Sequence, residues 1–422
     1  MAVPKIKISP EATESRTSLS TLPRNIWATS LTSFFMDVST EMVLNILPLF
    51  LSNVLGVKTN IIGVIEGVAE STSSLLKLFS GWLSDRLRTR KWLAVTGYAI
   101  SALAKPFFYF ANSWGVVAGV RWADRVGKGI RTAPRDALVA DSVEESHRGL
   151  AFGFQRAADT AGAMVGLVIA LGAVWLAQSN AVVLGAATFR TVVLISLLPA
   201  ALAVLTLALG AQDVPIRNGQ AIPKFALRSL GKPFIVFIVI VSIFDIGNSS
   251  DAFLILRAQE RGLNVIGILT MLIVFNLIYA LVSTPAGSLS DRVGRRRMIL
   301  LGWLAYALIY FGFGLAKSGW QVWLLYVVYG LYYGLAFGST KAMIADLVPE
   351  ALRGTAYGTY NAMMGILDLP ASVIAGVLWQ GMGGWPGFGA PAPFLFGGSM
   401  ALLAALLMIL WMPRAIAKTN TS

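Results

Sequence analysis

Gly81-Trp82-Leu83-Ser84-Asp85-Arg86-Leu87-Arg88-Thr89-Arg90-Lys91 closes one long apolar run and opens the next. Gly287-Ser288-Leu289-Ser290-Asp291-Arg292-Val293-Gly294-Arg295-Arg296-Arg297 repeats the pattern 206 positions later. A second echo sits at an offset of 205, where Ala140-Asp141 with Arg148-Gly149 matches Ala345-Asp346 with Arg353-Gly354. Basic loops between apolar helices resemble one another in charge by chance. They do not by chance share Gly, Asp and Arg positions at nearly one offset. The chain therefore reads as a duplicated unit of about half its length, and this repeat governs every later assignment.

The runs between the loops decide what the unit is made of. Of 422 residues, 56% are hydrophobic and only 13% charged, roughly half the charged fraction of a soluble chain. The mean hydropathy is +0.69. Apolar runs of about 18 residues or more match the roughly 30 Å hydrocarbon core, and a helix satisfies its own backbone there. The alternating segments of a β-barrel are absent. Twelve spans are expected near 26–53, 59–83, 92–111, 114–138, 149–177 and 187–209, then 233–258, 265–289, 298–316, 320–346, 353–380 and 393–412. The expected fold is an all-α integral membrane protein of twelve transmembrane helices in two pseudo-symmetric six-helix bundles. These bundles occupy 26–209 and 233–412. A polar linker, 210–232, joins them and contains Pro215 and Pro223; tails 1–25 and 413–422 flank them. Six spans return the chain to its starting side, as a parallel repeat requires.

The formal net charge of +13 does not point to nucleic acid, because the basic residues gather in alternate loops. One set carries Arg86, Arg88, Arg90 and Lys91, then Arg217, Lys224, Arg228 and Lys232, then Arg292, Arg295, Arg296 and Arg297; the other holds little beyond Lys58, Arg190, Arg261 and Lys317. This bias places both termini in the cytoplasm, with the chain in the inner or plasma membrane. There is no cysteine, so neither disulfides nor thiolate chemistry contribute. The single His147 lies beside Glu144, Glu145 and Arg148 and reads as a solvated loop residue. No metal and no cofactor are expected, and the chain is expected to act as a monomer in the bilayer.

The doubled loop, G-x-L-S-D-R-x-G-R-R-R, resembles the signature between helices two and three of the major facilitator superfamily, with its weaker copy between helices eight and nine. The resemblance spans both halves; the first copy has Arg88 where glycine is usual, while the second keeps Gly294. It implies a transporter working by alternating access, with Gly81, Asp85, Arg86 and Arg90, and Gly287, Asp291, Arg292 and Arg296, as gating loops. Asp85 and Asp291 would cap an adjacent helix and pair with arginine across the cleft. Arg125-Val126-Gly127-Lys128-Gly129 resembles the R-x-x-Q-G motif of the family's proton-coupled drug antiporters, with Lys128 in place of Gln. Gly162-Ala163-Met164-Val165-Gly166 sits where those antiporters carry G-x-x-x-G-P, but lacks the proline. It also reads as a small-residue packing stripe. As a phosphate loop, Gly127-Lys128-Gly129 has the wrong spacing.

Charges within the spans are the main clue to mechanism, since each costs about 2.5–3.5 kcal/mol at mid-bilayer. The fourth span carries Arg121, Asp124, Arg125, Lys128, Arg131, Arg135 and Asp136, all within an arc of about 140°. Exposing even half of them to lipid would cost on the order of 10 kcal/mol, so this face must line the interior. If Asp124 and Asp136 each neutralise one neighbour, an excess of cations remains. Arg121, Arg125, Lys128 and Arg131 are therefore the expected substrate contacts, for an anionic or zwitterionic solute. Asp37 and Glu41 share a face of the first span with Ser33 and Asn45, while Glu66 and Glu70 share a face of the second with Ser73 and Lys77. With Asp124, these four acids are the expected proton-coupling groups; sodium is the alternative, because the first span also offers hard oxygen ligands. Arg156 and Asp159, at i and i+3, are expected to form a structural pair. The second half is barer, with Asp245, Asp251, Arg257, Lys341, Asp346 and Asp368, and with Ala336 and Thr340 at the positions of Arg131 and Arg135.

The residues thus point to a proton-coupled secondary transporter of a small solute, and not to an enzyme, since no nucleophile–base pair is visible. The alternatives are a non-transporting receptor or scaffold on the same fold, or a multidrug/proton antiporter.

Overall fold

The computed structural model describes residues 22–87, 89–144, 147–178, 182–214, 230–349 and 352–412. Arg88, most of the linker with Pro215 and Pro223, nearly all of the first tail and the whole of 413–422 lie outside these residues.

The chain folds into helices throughout. The first half holds α1 (Arg24–Leu44), α2 (Leu47–Leu49) with a π turn (Phe50–Val54), α3 (Thr59–Leu87), α4 (Lys91–Ala104), α5 (Pro106–Tyr109), α6 (Trp114–Asp141), α7 (Arg148–Gln178) and α8 (Ala186–Gly210). The second holds α9 (Gly231–Ile246), α10 (Ala252–Glu260), α11 (Val265–Val293), α12 (Arg295–Leu315), α13 (Gly319–Leu347), α14 (Arg353–Gln380) and α15 (Ala392–Trp411). These make twelve rods, six in each half. Among the described residues, eight of the rods are long and apolar enough to cross a membrane by length and composition alone. The others are charged, as α3 and α6 are, or broken into short pieces.

Spans one, three and seven, expected unbroken, are each interrupted. Pro48 in α2 and Pro106 at the start of α5 have no N–H to donate one turn back. The third break is of another kind: α9 stops at Ile246 and α10 starts at Ala252. The intervening Gly247-Asn248-Ser249-Ser250-Asp251 is small and polar. Its backbone is met locally by Asn248 N donating to Asp245 O (2.9 Å) and Ser250 N to Ser372 Oγ (3.3 Å). Unwound backbone at membrane depth is tolerated only where it lines a cavity or is buried in protein, and Asn248 to Ala252 of this break line a cavity.

Within the first half α1 packs on α7 and α8, and α6 packs on both α3 and α4; α13 packs on α11 and α12 in the second. The halves meet chiefly through α3 against α14 and α7 against α11. At the α4–α6 crossing, a Cβ on Gly97 would lie 2.6 Å from Arg131 N, and one on Gly127 would lie 2.6 Å from Gly97 O. The glycines of the Arg125–Gly129 stretch are therefore packing residues, Gly127 against α4 and Gly129 against Leu76 and Ser73 of α3.

The halves are joined tightly at the end away from the basic loops. Asn60 Nδ2 donates to Gly381 O (2.9 Å), Thr59 Oγ1 to Gln380 Oε1 (3.1 Å) and Gln259 Nε2 to Val182 O (3.0 Å). Gly376, Gly67 and Gly365 bring α3 and α14 into backbone-level contact along the cleft. Nearer the basic loops, Gly354 and Gly358 of α14, and Gly149 and Gly153 of α7, have nothing within 4 Å of a notional Cβ.

Candidate substrate and coupling site

Helix α6 turns its charged face inward, as its pattern requires, but its cations are matched by acids from α3. Arg121 donates from Nη2 to Glu66 Oε2 (2.6 Å) and Glu70 Oε1 (3.1 Å), and from Nε to Glu66 Oε1 (3.2 Å). Asp124 forms longer ion pairs within α6, 3.8 Å from both Arg121 and Arg125. Arg135 pairs closely with the acid next to it, Asp136, at 2.8 Å. The excess of cations is thus smaller than a count within α6 suggests, because Glu66 and Glu70 of α3 add their charges to the lattice.

Arg125 differs from Arg121. It is 4% exposed, and its Nε lies 3.3 Å from Glu70 Oε1. Yet neither Nε nor Nη1 makes a hydrogen bond. A buried guanidinium with two donors outside any hydrogen bond has the capacity to take an acceptor.

Arg121, Arg125, Glu66 and Glu70 line a cavity of about 370 Å³ between the halves, with Glu41 and Asn45 from α1. The opposite wall is the α9–α10 break, Asn248 to Ala252, together with Tyr333, Asp368 and Ser372. Asp251 and Asp368 form no ion pair among the described residues.

The other expected site residues fall outside this wall. Arg131 is turned to α4, where Nη1 donates to Ser101 Oγ (2.6 Å) and the guanidinium lies 4.6 Å from the centre of the Tyr98 ring. Lys128 and Asp37 are half-buried and form no ion pair among the described residues. Glu41, one turn on from Asp37, accepts at Oε2 from Asn45 Nδ2 at 2.7 Å. Arg156 and Asp159 do not pair either: Arg156 Nη2 reaches across the halves to Tyr279 OH (3.4 Å), and Asp159 Oδ1 is buried without a partner. Helical spacing permits that pair, but α11 offers Arg156 a competing acceptor.

Lys105 is the residue that sequence reading passed over. It is 1% exposed, and its Nζ donates to Ser39 Oγ (2.6 Å) and Thr40 Oγ1 (3.0 Å) of α1. A lone cation inside an apolar run, next to Pro106, was its visible signal.

At the basic loops several bonds between described residues stay on one side of the cleft. Arg90 bonds Asp85, donates to Ser84 Oγ (3.1 Å) and reaches Asp141 Oδ2 at the end of α6 (3.2 Å). The cap on α4 is supplied by Asp213, not Asp85: Asp213 Oδ1 accepts from Arg90 N (2.9 Å) and Lys91 N (3.1 Å). Arg86 stacks on Trp82 at 5.3 Å, and Gly81 faces Ala133 of α6. In the second half Arg295 pairs with Asp346 at 2.6 Å. Arg296 instead donates to Met408 O and Ile409 O, both at 3.0 Å, closing the end of α15. The counterpart of Arg90 is therefore Arg295, and the repeat offset changes from 206 to 205 inside the loop. Arg292 is exposed; the side chain of Asp291 and the surroundings of Gly287 lie outside what the structure describes.

Comparison with known proteins agrees with this architecture. The pattern of the Major Facilitator Superfamily matches residues 29–256 and 235–421. An uncharacterised MFS-type transporter of Methanocaldococcus jannaschii is 34% identical over 92% of this chain and 95% of its own. Among solved structures, a POT family transporter in complex with 5-aminolevulinic acid superposes with a TM-score of 0.76 at 14% identity, covering 94% of this chain and 97% of that one. A D-xylose–proton symporter does so with a TM-score of 0.73 at 16% identity, covering 94% and 99%. At these identities the superpositions speak for the fold alone. The chain belongs to the Major Facilitator Superfamily: it is a multi-pass membrane protein and a secondary transporter of a small molecule, not an enzyme.

Proposed function

We propose that this transporter carries a small zwitterionic solute by alternating access, driven by protons. The observation that carries the reading is the cavity wall. Arg125 of the first half, with two unspent donors, faces Asp251 and Asp368 of the second, which form no ion pair among the described residues. A solute with an anionic and a cationic end satisfies both walls at once and so draws the halves together. A purely anionic solute, the other form of the sequence-level expectation, leaves the acids uncompensated. A multidrug antiporter is less favoured, since this cavity is lined mainly by charged and polar groups.

Coupling follows from the same geometry. Glu70 Oε1 is shared between Arg121 at 3.1 Å and Arg125 at 3.3 Å. Protonating Glu70 removes the charge that competes with substrate for Arg125. Glu66 keeps Arg121 neutralised meanwhile. Glu41, on the same wall, is the second candidate, and Asp37 and Asp124 lie behind it. The basic-loop end is assigned to the cytoplasm by the Lys/Arg bias. Asp85, Arg86, Arg90, Asp291 and Arg292 would then bias the inward–outward equilibrium; Arg295 replaces Arg296 in that set.

The test is a thermal-shift panel of zwitterions, anions and cations on the detergent-solubilised protein, since a bound ligand stabilises the fold. Uptake of the selected solute into vesicles follows, under an imposed pH gradient, with and without sodium. A zwitterion should stabilise wild type and lose most of its effect in Arg125→Gln. Stabilisation by cations alone, unchanged in Arg125→Gln, contradicts the reading. Accumulation that needs sodium and ignores the pH gradient replaces the coupling ion.

A further inference from the structure

One buried acid stands apart from the charged lattice. Asp245 ends α9 just before the break, is 8% exposed, and has an Oδ2 with no hydrogen-bond partner. It lines a second cavity of about 230 Å³, walled by Phe244, Trp303, Tyr332, Tyr333 and Tyr360 and, among the described residues, by no basic one. Phe244 stacks on Trp303 with ring centres 5.1 Å apart and planes at 12°. Tyr332 and Tyr333 meet edge to face at 5.4 Å. Asn248 and Tyr333 line this chamber and the charged cavity alike, so the two adjoin. Together they reach the range of ordinary small-molecule sites, roughly 300–1,000 Å³.

Packing alone does not account for a carboxylate in that position. The site is apolar enough for a leucine, and an unpaired charge there is costly. Aromatic faces carry negative charge density and attract organic cations, and an acid among them adds the counter-charge. Rings and acid in one chamber are the two components of an organic-cation site.

We propose that the Asp245 chamber receives the cationic end of the substrate, an aliphatic ammonium group carried on a short chain from a planar apolar ring. The substrate is then an aromatic zwitterion with its anionic end at Arg125. Only that anionic end rests on the reading proposed above; the cation preference of the chamber stands on Asp245 and its rings.

The experiment measures the melting temperature of the full chain in detergent with four probes: tryptamine, tryptophan, indole-3-acetate and alanine. Tryptamine and tryptophan should stabilise the protein, and indole-3-acetate less. Asp245→Asn keeps the shape but not the charge; it should weaken tryptamine at least about tenfold, as for loss of one partner of a desolvated charge pair. The ligand-free protein should melt no lower. Unchanged tryptamine affinity in Asp245→Asn overturns the proposal, since it would mean that the acid is neutral and holds no cation. Phe244→Leu is the second variant, and it should weaken tryptamine severalfold through the lost ring face. Alanine binding as tightly as tryptophan, lost in Arg125→Gln and indifferent to Asp245→Asn, sinks the chamber and keeps the zwitterion reading. Tryptamine binding that needs Asp245, with tryptophan no tighter and indifferent to Arg125→Gln, does the reverse. No stabilisation by any of the four overturns the chamber.

Discussion

Replacing Glu66 and Glu70 by glutamine, one at a time, separates scaffold from coupling on a single helix. The two acids sit one turn apart on α3 and hold the same Arg121, but their surroundings differ. The Arg121 and Glu66 side chains are 5% and 7% exposed, and their forked contact reaches 2.6 Å. Removing one partner of such a pair costs about 3–5 kcal/mol. Glu70 still neutralises Arg121 in Glu66→Gln, and the glutamine oxygen can accept one bond, so the low end, about 3 kcal/mol, is expected. The Glu70 side chain is 36% exposed and stands 3.1 Å from Arg121. Solvent screening reduces its share to about 1 kcal/mol or less. Glu66→Gln should therefore melt well below wild type, and Glu70→Gln close to it. Transport should rank the other way. Glu70→Gln is fixed in the form that leaves Arg125 free, so counterflow continues while pH-driven accumulation is lost. Glu66→Gln, assayed below its melting temperature, should keep accumulation at least in part. The measurements are melting curves in detergent, with pH-jump uptake and counterflow in the same vesicles. Equal destabilisation by the two variants would refute the division of labour. Full accumulation in Glu70→Gln would move the coupling role to Glu41 or Asp37.

Two further outcomes follow from packing. Gly127→Ala places a Cβ 2.5 Å from Ser101 Oγ and 2.6 Å from Gly97 O, so it should cost about 1–3 kcal/mol by overpacking; Gly153→Ala, with nothing within 4 Å, should leave the melting temperature unchanged, and equal effects would contradict the crossing. Arg257 is fully buried and donates to Phe313 O (3.0 Å), Gly314 O (2.9 Å) and Ala316 O (3.2 Å) at the end of α12; Arg257→Met should cost about 3 kcal/mol or more by orphaning buried carbonyls, seen as a lower melting temperature with solute affinity in intact protein unchanged.

The fold was legible because its determinants are local. Apolar length and the Gly, Asp and Arg positions of the doubled loop are properties of single segments, and they suffice for twelve rods in two halves. The charged face of α6 was legible for the same reason. Its partners were not: Glu66 and Glu70 lie 55 and 51 positions before Arg121, and a helical wheel shows which face is charged but not which helix covers it. Counting acids within α6 therefore overstated the free positive charge. The breaks carried visible signals at Pro48, Pro106 and Gly247-Asn248-Ser249-Ser250, but a length criterion runs through them, because each broken rod remains long enough in total. The Asp245 chamber was illegible for a different reason: its rings come from α9, α12, α13 and α14, and only packing assembles them.

The repeat shows what the two halves kept and what they changed. The α4–α6 crossing, with Gly97 against Arg131, recurs in α12–α13 as Gly302 against Ala336, and Gly129 against Leu76 recurs as Gly334 against Val282. The Arg90–Asp141 ion pair recurs as Arg295–Asp346. At that same register Arg121, Asp124 and Lys128 become Tyr326, Tyr329 and Tyr333. The geometry of the crossing is thus independent of its chemistry. One half uses the buried face for a charge lattice, the other for stacked rings. A lattice in which Arg121 is gripped by two acids is stiff, since shifting any member exposes a bare charge to a dry interior. The second half has fewer such constraints, and it holds the unwound segment between α9 and α10. Motion about the cavity is therefore expected to fall mainly on α9, α10 and α14, with the α3–α6 pair as the fixed reference against which the solute is held.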